Sequence, residues 1–347
     1  MNRKSMVMLG VATLAAGGNA PAAPDARMAQ ARMFASQASP PGQLSLLTYN
    51  VSGLPWPLGL DRPAKLAQIA DRLAALRATG RAPQVVVLQE AFSPEAEAIA
   101  RRAGYRYTAF GPTSASPQPE RGYTRPGMVL KGEGLGPMLS SGLILMSDFR
   151  ISHVRRTAFP VGACAGYDCL ANKGILAARI ALPGVETPVE IVTTHFNSGN
   201  PSGQPEPVNR IAFNRQLEAL HRFVADDVAV AKNAPVVRIF AGDFNMGHSP
   251  ARLTALLGYI KKQKGFASSA LGRDKYSGLC QSQPDICREG LALAANVPLR
   301  HANDWQFVTA PQDVQLTPLA AEMMFGKDRA GKTLSDHVGL KVVYQFR

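Results

Sequence analysis

The sequence predicts an α/β protein built as a two-sheet sandwich flanked by helices. Short β-branched and aromatic runs recur along the chain, each closing on a polar residue. Segments whose apolar residues fall at helical spacing separate them. The runs collect in strand-rich halves with helices between, a pattern that two packed sheets with outer helices satisfy. A hydrophobic content of 46% with 18% charged residues excludes a mainly disordered chain. At 347 residues the chain is large for one domain, but no linker divides it and no internal repeat is present. A single domain over 44–347 is expected.

The N-terminus has the form of an export signal: Arg3 and Lys4, then a modest apolar run, then small residues at Ala20, Ala22 and Ala23. This predicts a signal peptide over 1–23 and a flexible Ala/Pro/Ser/Gln segment over 24–43. Neither this run nor any other is long enough to cross a bilayer, so no transmembrane segment is expected. In an oxidising compartment the cysteines are expected to form two local pairs, Cys164 with Cys169 and Cys280 with Cys287. Zinc ligation is the rival reading, but no second Cys or His pair at finger-like spacing accompanies them. A net charge of +13 favours anionic partners: phosphodiesters, nucleic acid or acidic lipid head groups. A basic surface kept for solubility has the same charge, so charge alone decides nothing.

In chain order, residues 44–51 read as a strand with Asn50 at its end, followed by a Gly/Pro-rich loop containing Trp56. From Pro63, residues Leu66, Ile69, Leu73 and Leu76 recur at helical spacing, and the helix stops by Gly80. Residues 85–90 form a buried strand closing on the carboxylate of Glu90, and a second helix is expected over 94–103. The stretch 111–137 is rich in Gly, Pro and Ser and too long for a plain connector, so a surface flap is expected. Strands follow over 141–146, 151–157, 175–180 and 189–195, the last closing on His195. Phe213, Leu217, Leu220, Val224 and Val228 mark an amphipathic helix feeding a strand over 236–240. Residues 251–300 read as a short helix and a long loop pinned by Cys280 and Cys287. Residues 304–308 and 338–346 complete the strands, with Ser335-Asp336-His337 just before the last.

The polar strand ends have a chemical logic. Asp243 and Asn245 project the same way if strand geometry persists, with Gly242 expected to let the backbone turn beside them. A lone Gly-Asp-x-Asn reads as a strand followed by an Asx turn. Its company changes that reading, because Asn50, Glu90, His195, Asp304, Asp336 and His337 also stand at strand ends. Glu90 and Asn50 suit a hard divalent cation such as Mg²⁺, which takes one or two carboxylates and keeps positions for water and phosphate. Attack of water on a phosphodiester needs an oriented nucleophile, neutralised phosphoryl oxygens and a protonated or metal-bound leaving oxygen. The two histidines and the remaining aspartates supply those roles. Asp304 is the expected partner for the second ring nitrogen of His195.

The motifs Thr48-Tyr49-Asn50-Val51, Leu88-Gln89-Glu90, Thr194-His195-Phe196, Gly242-Asp243-Phe244-Asn245, Asp304-Trp305 and Ser335-Asp336-His337 together resemble the endonuclease/exonuclease/phosphatase superfamily. That superfamily includes deoxyribonuclease I, abasic-site endonucleases, inositol-phosphate 5-phosphatases and neutral sphingomyelinases. The resemblance implies a deoxyribonuclease I-like four-layer α/β/β/α sandwich of two mixed β-sheets, and metal-dependent phosphoester hydrolysis. It implies Glu90 as main Mg²⁺ ligand with Asn50 beside it and Asp336 as a further ligand. Mn²⁺ or Co²⁺ are the alternative ions. Asp243 then orients or deprotonates water, Asn245 binds a phosphoryl oxygen, and His195 and His337 flank the phosphate with Asp304 and Asp336 in support. At Asp304 the sequence departs from the pattern, with Trp305 where the family commonly has Tyr or His.

Lys173-Gly174 and Ser140-Ser141-Gly142-Leu143 are similar to the sphingomyelinase branch. The expectation is an exported, monomeric, Mg²⁺-dependent phosphodiesterase, a sphingomyelinase-like phospholipase C acting on phospholipid at a membrane surface. A secreted nuclease, an inositol-phosphate or phosphoinositide phosphatase and a non-catalytic binding protein of the same fold are the alternatives. Three apolar stretches, 54–60 with Trp56, 128–130 and 323–325, are candidates for membrane contact.

Overall fold

The computed structural model describes residues 40–55, 57–230, 235–247, 249–262, 303–311 and 313–347. The expected signal peptide, the flexible segment up to 39, Trp56 and the Cys280–Cys287 pair lie outside the described residues.

The strands are β1 (Gln43–Asn50), β2 (Val85–Gln89), β3 (Tyr107–Phe110), β4 (Ile144–Ser147), β5 (Ile151–Ala158), β6 (Gly174–Ile180), β7 (Val189–His195), β8 (Val237–Asp243), β9 (Asp304–Thr309), β10 (Leu316–Met324) and β11 (Gly339–Phe346). The helices are α1 (Arg62–Ala78), α2 (Pro94–Glu97), α3 (Ile99–Arg102), α4 (Glu206–Val230) and α5 (Pro250–Lys262). One sheet has the order β10-β11-β1-β2-β4-β3 and the other β5-β6-β7-β8-β9. Each is mixed: β1 and β2 are parallel in the first, β7 and β8 in the second, and the other pairings are antiparallel.

Strand periodicity divides the apolar residues among three cores. Leu44, Leu46, Val85 and Val87 turn inward to meet Ile191, Val237, Ile239 and Ala241 of the other sheet. Their neighbours Leu47, Tyr49, Val86 and Leu88 turn outward onto Leu66, Ile69 and Leu73 of α1. On the far side Val192, Phe240 and Phe244 meet Phe213, Leu217, Leu220 and Val224 of α4. Because central strands are covered on both faces, they read as continuous apolar runs rather than as alternations. The result is the four-layer α/β/β/α sandwich that the motifs imply.

Some elements depart from expectation. The helix over 94–103 is two single turns, α2 and α3, joined at Ala98. Ala98 itself has helical dihedrals (φ −69°, ψ −16°), so the break does not redirect the chain. Strand β10 carries Pro318 and a register shift between Pro318 and Ala320, which only an edge position tolerates. That proline hides the strand from a sequence reading. Edge strand β3, of four residues, is hidden by its length. The expected flap over 111–137 holds one short 3₁₀ turn, Val129–Lys131. The stretch 323–325 offers no membrane surface, because Met324 and Phe325 are buried and Phe325 stacks on Tyr49 at 5.0 Å. No helix among the described residues is long and apolar enough to cross a membrane.

Candidate active site

Strand register builds the site. Pairing of β7 with β8 sets His195 beside Asp243, and pairing of β8 with β9 sets Asp304 on the other side of Asp243. In the other sheet Asn50 pairs with Gln89, which brings Glu90 alongside. Thus β8 is the hub, and its last residue faces both sheets. Gly242 serves this differently from the expectation. It lies inside β8, and a Cβ there would stand 2.2 Å from the Thr194 carbonyl oxygen. Close approach of β7, not a turn, demands the glycine. Glu90 (φ 55°), Asn245 (φ 49°) and Ser52 (φ 48°) all hold left-handed backbone around the site. Such strain persists only where the surroundings over-determine it.

Asn50 spans the gap between the sheets. Its Nδ2 donates to Glu90 Oε1 at 2.9 Å and to Asp243 Oδ2 at 3.0 Å, while its Oδ1 accepts from the Ser52 amide at 2.9 Å. Asn50 therefore stands beside Glu90 as expected, but the atom it presents to the carboxylates is nitrogen. Burial pushes the Glu90 carboxyl up, and pushes that of Asp243 up to about 6, since neither carboxylate has enough neighbouring positive charge to offset lost hydration. Two carboxylates in this state, Asp243 buried and Glu90 half-buried, fit a hard divalent cation. Glu90, His195 and Asp243 converge with ligand atoms within 4.8 Å of one another, as do Asp243, Asp304 and His337.

The two histidines differ in charge. His195 is 3% exposed, with Nε2 at 3.2 Å from Lys173 Nζ and 3.5 Å from Asp243 Oδ2. Burial, then the charges of Lys173 and His337, hold its pKa well below the usual range, so it is neutral and accepts from Lys173. Among the described residues its Nδ1 has no hydrogen-bond partner. The expected partner, Asp304, instead takes Nδ1 of His337 at 2.6 Å. Topology explains the correction: β8 lies between β7 and β9, so Asp304 cannot reach past Asp243 to His195. Burial opposes a charge on His337, but Asp304 and Asp243 outweigh it and hold the imidazolium well above the usual range. Nε2 of His337 stands 3.8 Å from Asp243 Oδ2.

Asn245 does not project parallel to Asp243. The strand ends at Asp243, whose Oδ1 accepts the Asn245 amide at 3.0 Å as an Asx turn, and Asn245 Nδ2 donates to the Phe196 carbonyl at 2.9 Å. One amide hydrogen of Asn245 is left for a ligand. Asp336 is exposed and converges with neither group of ligand atoms among the described residues. Its contact is Ser335 Oγ at 3.2 Å, and its charge adds to those favouring protonated His337.

Lys173 is the site residue that sequence reasoning did not place. It is 5% exposed, and its Nζ meets Asp168 Oδ1 at 2.6 Å, His195 Nε2 at 3.2 Å and the Phe196 carbonyl at 3.2 Å. The Lys-Gly pair carried the signal, read there only as a likeness to one branch. Gly174 is required because a Cβ would stand 2.2 Å from the Thr157 carbonyl oxygen. Asp168 sits in the 3₁₀ turn Gly166–Leu170, closed by the Cys164–Cys169 disulfide, and also accepts the Ser198 amide. A further convergence, His153 with Glu190 and Asp227, is no cation site, because Arg155, Arg179 and Arg238 already pair with its carboxylates.

Comparison with known proteins places the chain among relatives of similar sequence and fold. Sphingomyelinases of Mycobacterium bovis and Mycobacterium tuberculosis are 27% identical over 211 residues, 60% of this chain. The match spans only 35% of those relatives. Among solved structures, SmcL superposes with a TM-score of 0.55 at 18% identity, covering 88% of this chain and all of that one. Staphylococcus aureus beta toxin, crystallised with bound magnesium ions, gives 0.55 at 17% identity over 86% of this chain and 99% of its own. TDP2 of D. rerio, complexed with a single-strand DNA product, gives 0.54 at 20% identity, covering 87% of this chain and 99% of that one. These likenesses are of fold. The model of the Endonuclease/Exonuclease/phosphatase family matches residues 47–337, which contain every site residue named above, and the chain belongs to that family.

Proposed function

We propose that this protein is an exported, Mg²⁺-dependent phosphodiesterase, a sphingomyelinase-like phospholipase C. The observation that carries the reading is the convergence on Asp243 of His195 at 3.5 Å, His337 at 3.8 Å and the carboxylate of Glu90. Glu90, its carboxylate oriented by the Asn50 amide, would hold the cation, which would neutralise negative charge on the phosphate. Asp243, with a pKa near neutrality, takes a proton from the attacking water. The water oxygen bonds to phosphorus as the ester oxygen departs. The His337 imidazolium, held by Asp304, gives its proton to that departing oxygen. Lys173 and the free amide hydrogen of Asn245 supply positive potential for the phosphoryl oxygens. An alcohol and a phosphomonoester result.

The likeness to mycobacterial sphingomyelinases supports a phospholipid as substrate. A nuclease is the second reading, favoured by the net charge of +13 and the likeness to TDP2. One assay separates them: the mature protein on sphingomyelin liposomes and on DNA, with Mg²⁺ and with EDTA. Phosphocholine release that EDTA abolishes, with DNA intact, is expected. DNA cleavage without phosphocholine release would move the protein to the nucleases, and inactivity on every phosphodiester would sink the enzymatic reading. Export is checked separately, by finding the processed chain outside the cytoplasm.

A further inference from the structure

The large exposed apolar side chains are not scattered. Each strand that carries a site residue meets its loop at the same end of the sandwich, after β1, β2, β7 and β8 and before β9 and β11. The β3–β4, β5–β6 and β10–β11 connections lie at that end too, since Phe110 pairs with Ile144, Ala158 with Gly174 and Met324 with Gly339. On these connections stand Leu130 (94% exposed), Leu58 (79%), Leu60 (76%), Met138 (63%), Val129 (57%) and Met128 (51%). Of the exposed large apolar residues among the described ones, Val154 alone lies away from this end of the strands and the opening turns of α4. Solubility does not explain such a bias, whereas a surface of interaction does.

The most exposed of these residues are held outward. Glu133, 2% exposed, accepts from the Met128 amide at 2.7 Å through Oε2. Through Oε1 it accepts from the Gly166 amide and from Gln204 Nε2, both at 2.7 Å. Lys131 Nζ donates to the Gly203 carbonyl, and Gly132 closes the turn in left-handed conformation (φ 81°). The base of the turn is thus fastened to the segment that carries Asp168, the partner of Lys173, while Val129 and Leu130 face solvent. A free loop would fold such side chains back onto the protein. At the same end, Lys327, Arg329 and Lys332 are exposed and make no ion pair among the described residues, while Asp328 turns Oδ1 to the amides of Ala330 and Lys332.

We propose that this end of the molecule docks on a phospholipid bilayer bearing anionic head groups, with the Met128-Val129-Leu130 turn inserted and the Lys327–Lys332 turn against the head groups. Apolar tips beside unpaired cations match the two layers of such a surface, an acyl interior under negative charge. The inference rests on the reading of the site as a lipid phosphodiesterase for its purpose, but binding is measured apart from turnover.

The test is flotation of the mature protein with phosphatidylcholine vesicles, with and without phosphatidylserine, in EDTA so that no hydrolysis occurs. The wild type is expected to float with the phosphatidylserine vesicles and to be released by salt. The Val129→Ser, Leu130→Ser double variant should partition on the order of tenfold less, and so should the Lys327→Glu, Lys332→Glu variant. Both should hydrolyse the soluble bis(p-nitrophenyl) phosphate at the wild-type rate with Mg²⁺. Glu133→Gln, which loosens the turn without removing its apolar tip, should fall between. Equal flotation of wild type and both double variants would overturn the proposal, as would retention on duplex DNA without binding to either vesicle. Vesicle binding without phosphocholine release from sphingomyelin liposomes in Mg²⁺ would leave docking standing and sink the lipase reading alone.

Discussion

Asp304 accepts the Nδ1 hydrogen of His337 at 2.6 Å, and this bond makes His337 rather than His195 the charged histidine of the site. Replacing Asp304 with Asn removes the charge and leaves the shape. The His337 pKa should then fall, and the alkaline limb of the pH–rate profile should move to lower pH. The rate at neutral pH should drop by about 10²-fold or more, as for a lost general-acid function. Unchanged profiles in D304N would show that His337 does not act as the acid.

Glu90→Gln tests the cation site without a substrate. Mg²⁺ should raise the melting temperature of the wild type by mass action and leave that of E90Q unmoved. Circular dichroism of E90Q should remain native. An equal Mg²⁺ shift in both proteins would place the ion elsewhere.

Asp243 links the same ion to pH. Burial raises its pKa to about 6 in the folded state, above the ordinary value of 3.8. Folding is therefore favoured by the protonated form: that contribution is complete below the lower value and is lost as pH rises through the higher. The loss is on the order of 2–3 kcal/mol for the metal-free protein. Glu90 moves in the same direction. Because a cation binds the deprotonated carboxylates, stabilisation by Mg²⁺ should grow between about pH 4 and 6 and level off above. Melting curves with Mg²⁺ and with EDTA across this range provide the check, and a pH-independent difference would refute the linkage.

Arg252 has one of the largest fully buried side chains of the structure, 1% exposed, and it ties two site loops together. Its Nη1 donates to the carbonyls of Asn197 at 2.8 Å and Asn245 at 2.9 Å, and its Nη2 pairs with Glu206 at 3.0 Å. Arg252→Met should cost about 2–4 kcal/mol, since the buried Asn197 carbonyl and the half-buried Asn245 carbonyl lose their donor. Arg252→Lys keeps the charge but not the fork. It should fold and show a lower kcat than wild type, because Asn245 is no longer held. Denaturant midpoints and steady-state kinetics of both variants separate the two effects.

Gln89 bridges the two sheets beneath the site: Nε2 donates to Thr193 Oγ1 at 3.2 Å, and Thr48 Oγ1 donates to its Oε1 at 3.3 Å. Gln89→Leu strands two buried hydroxyls and should destabilise by about 1–3 kcal/mol. The triple variant T48V/Q89L/T193V removes all three partners and should recover most of the loss. Additive destabilisation in the triple variant would deny the bridge.

Much of this protein is legible in its linear order. Continuous apolar runs mark nearly every central strand and period-3.6 patterns mark the long helices, because burial on both faces of a strand and along one face of a helix demands them. The strand ends carry Asn50, Glu90, His195, Asp243, Asp304 and His337, and they do meet. What the order of residues cannot show is which of them touch. His195 and Asp304 both belong beside Asp243, one on each side, and only the placement of β8 between β7 and β9 assigns Asp304 to His337. Lys173 before a glycine gives a likeness to one branch and no partner, and only packing against Asp168 and Phe196 makes it a buried cation of the site. Strands β3 and β10 escape notice because edge strands are free to be short or to hold a proline. Local chemistry thus selects the elements and the residue types, while register and packing, which depend on residues far apart in the chain, decide charge states and partners.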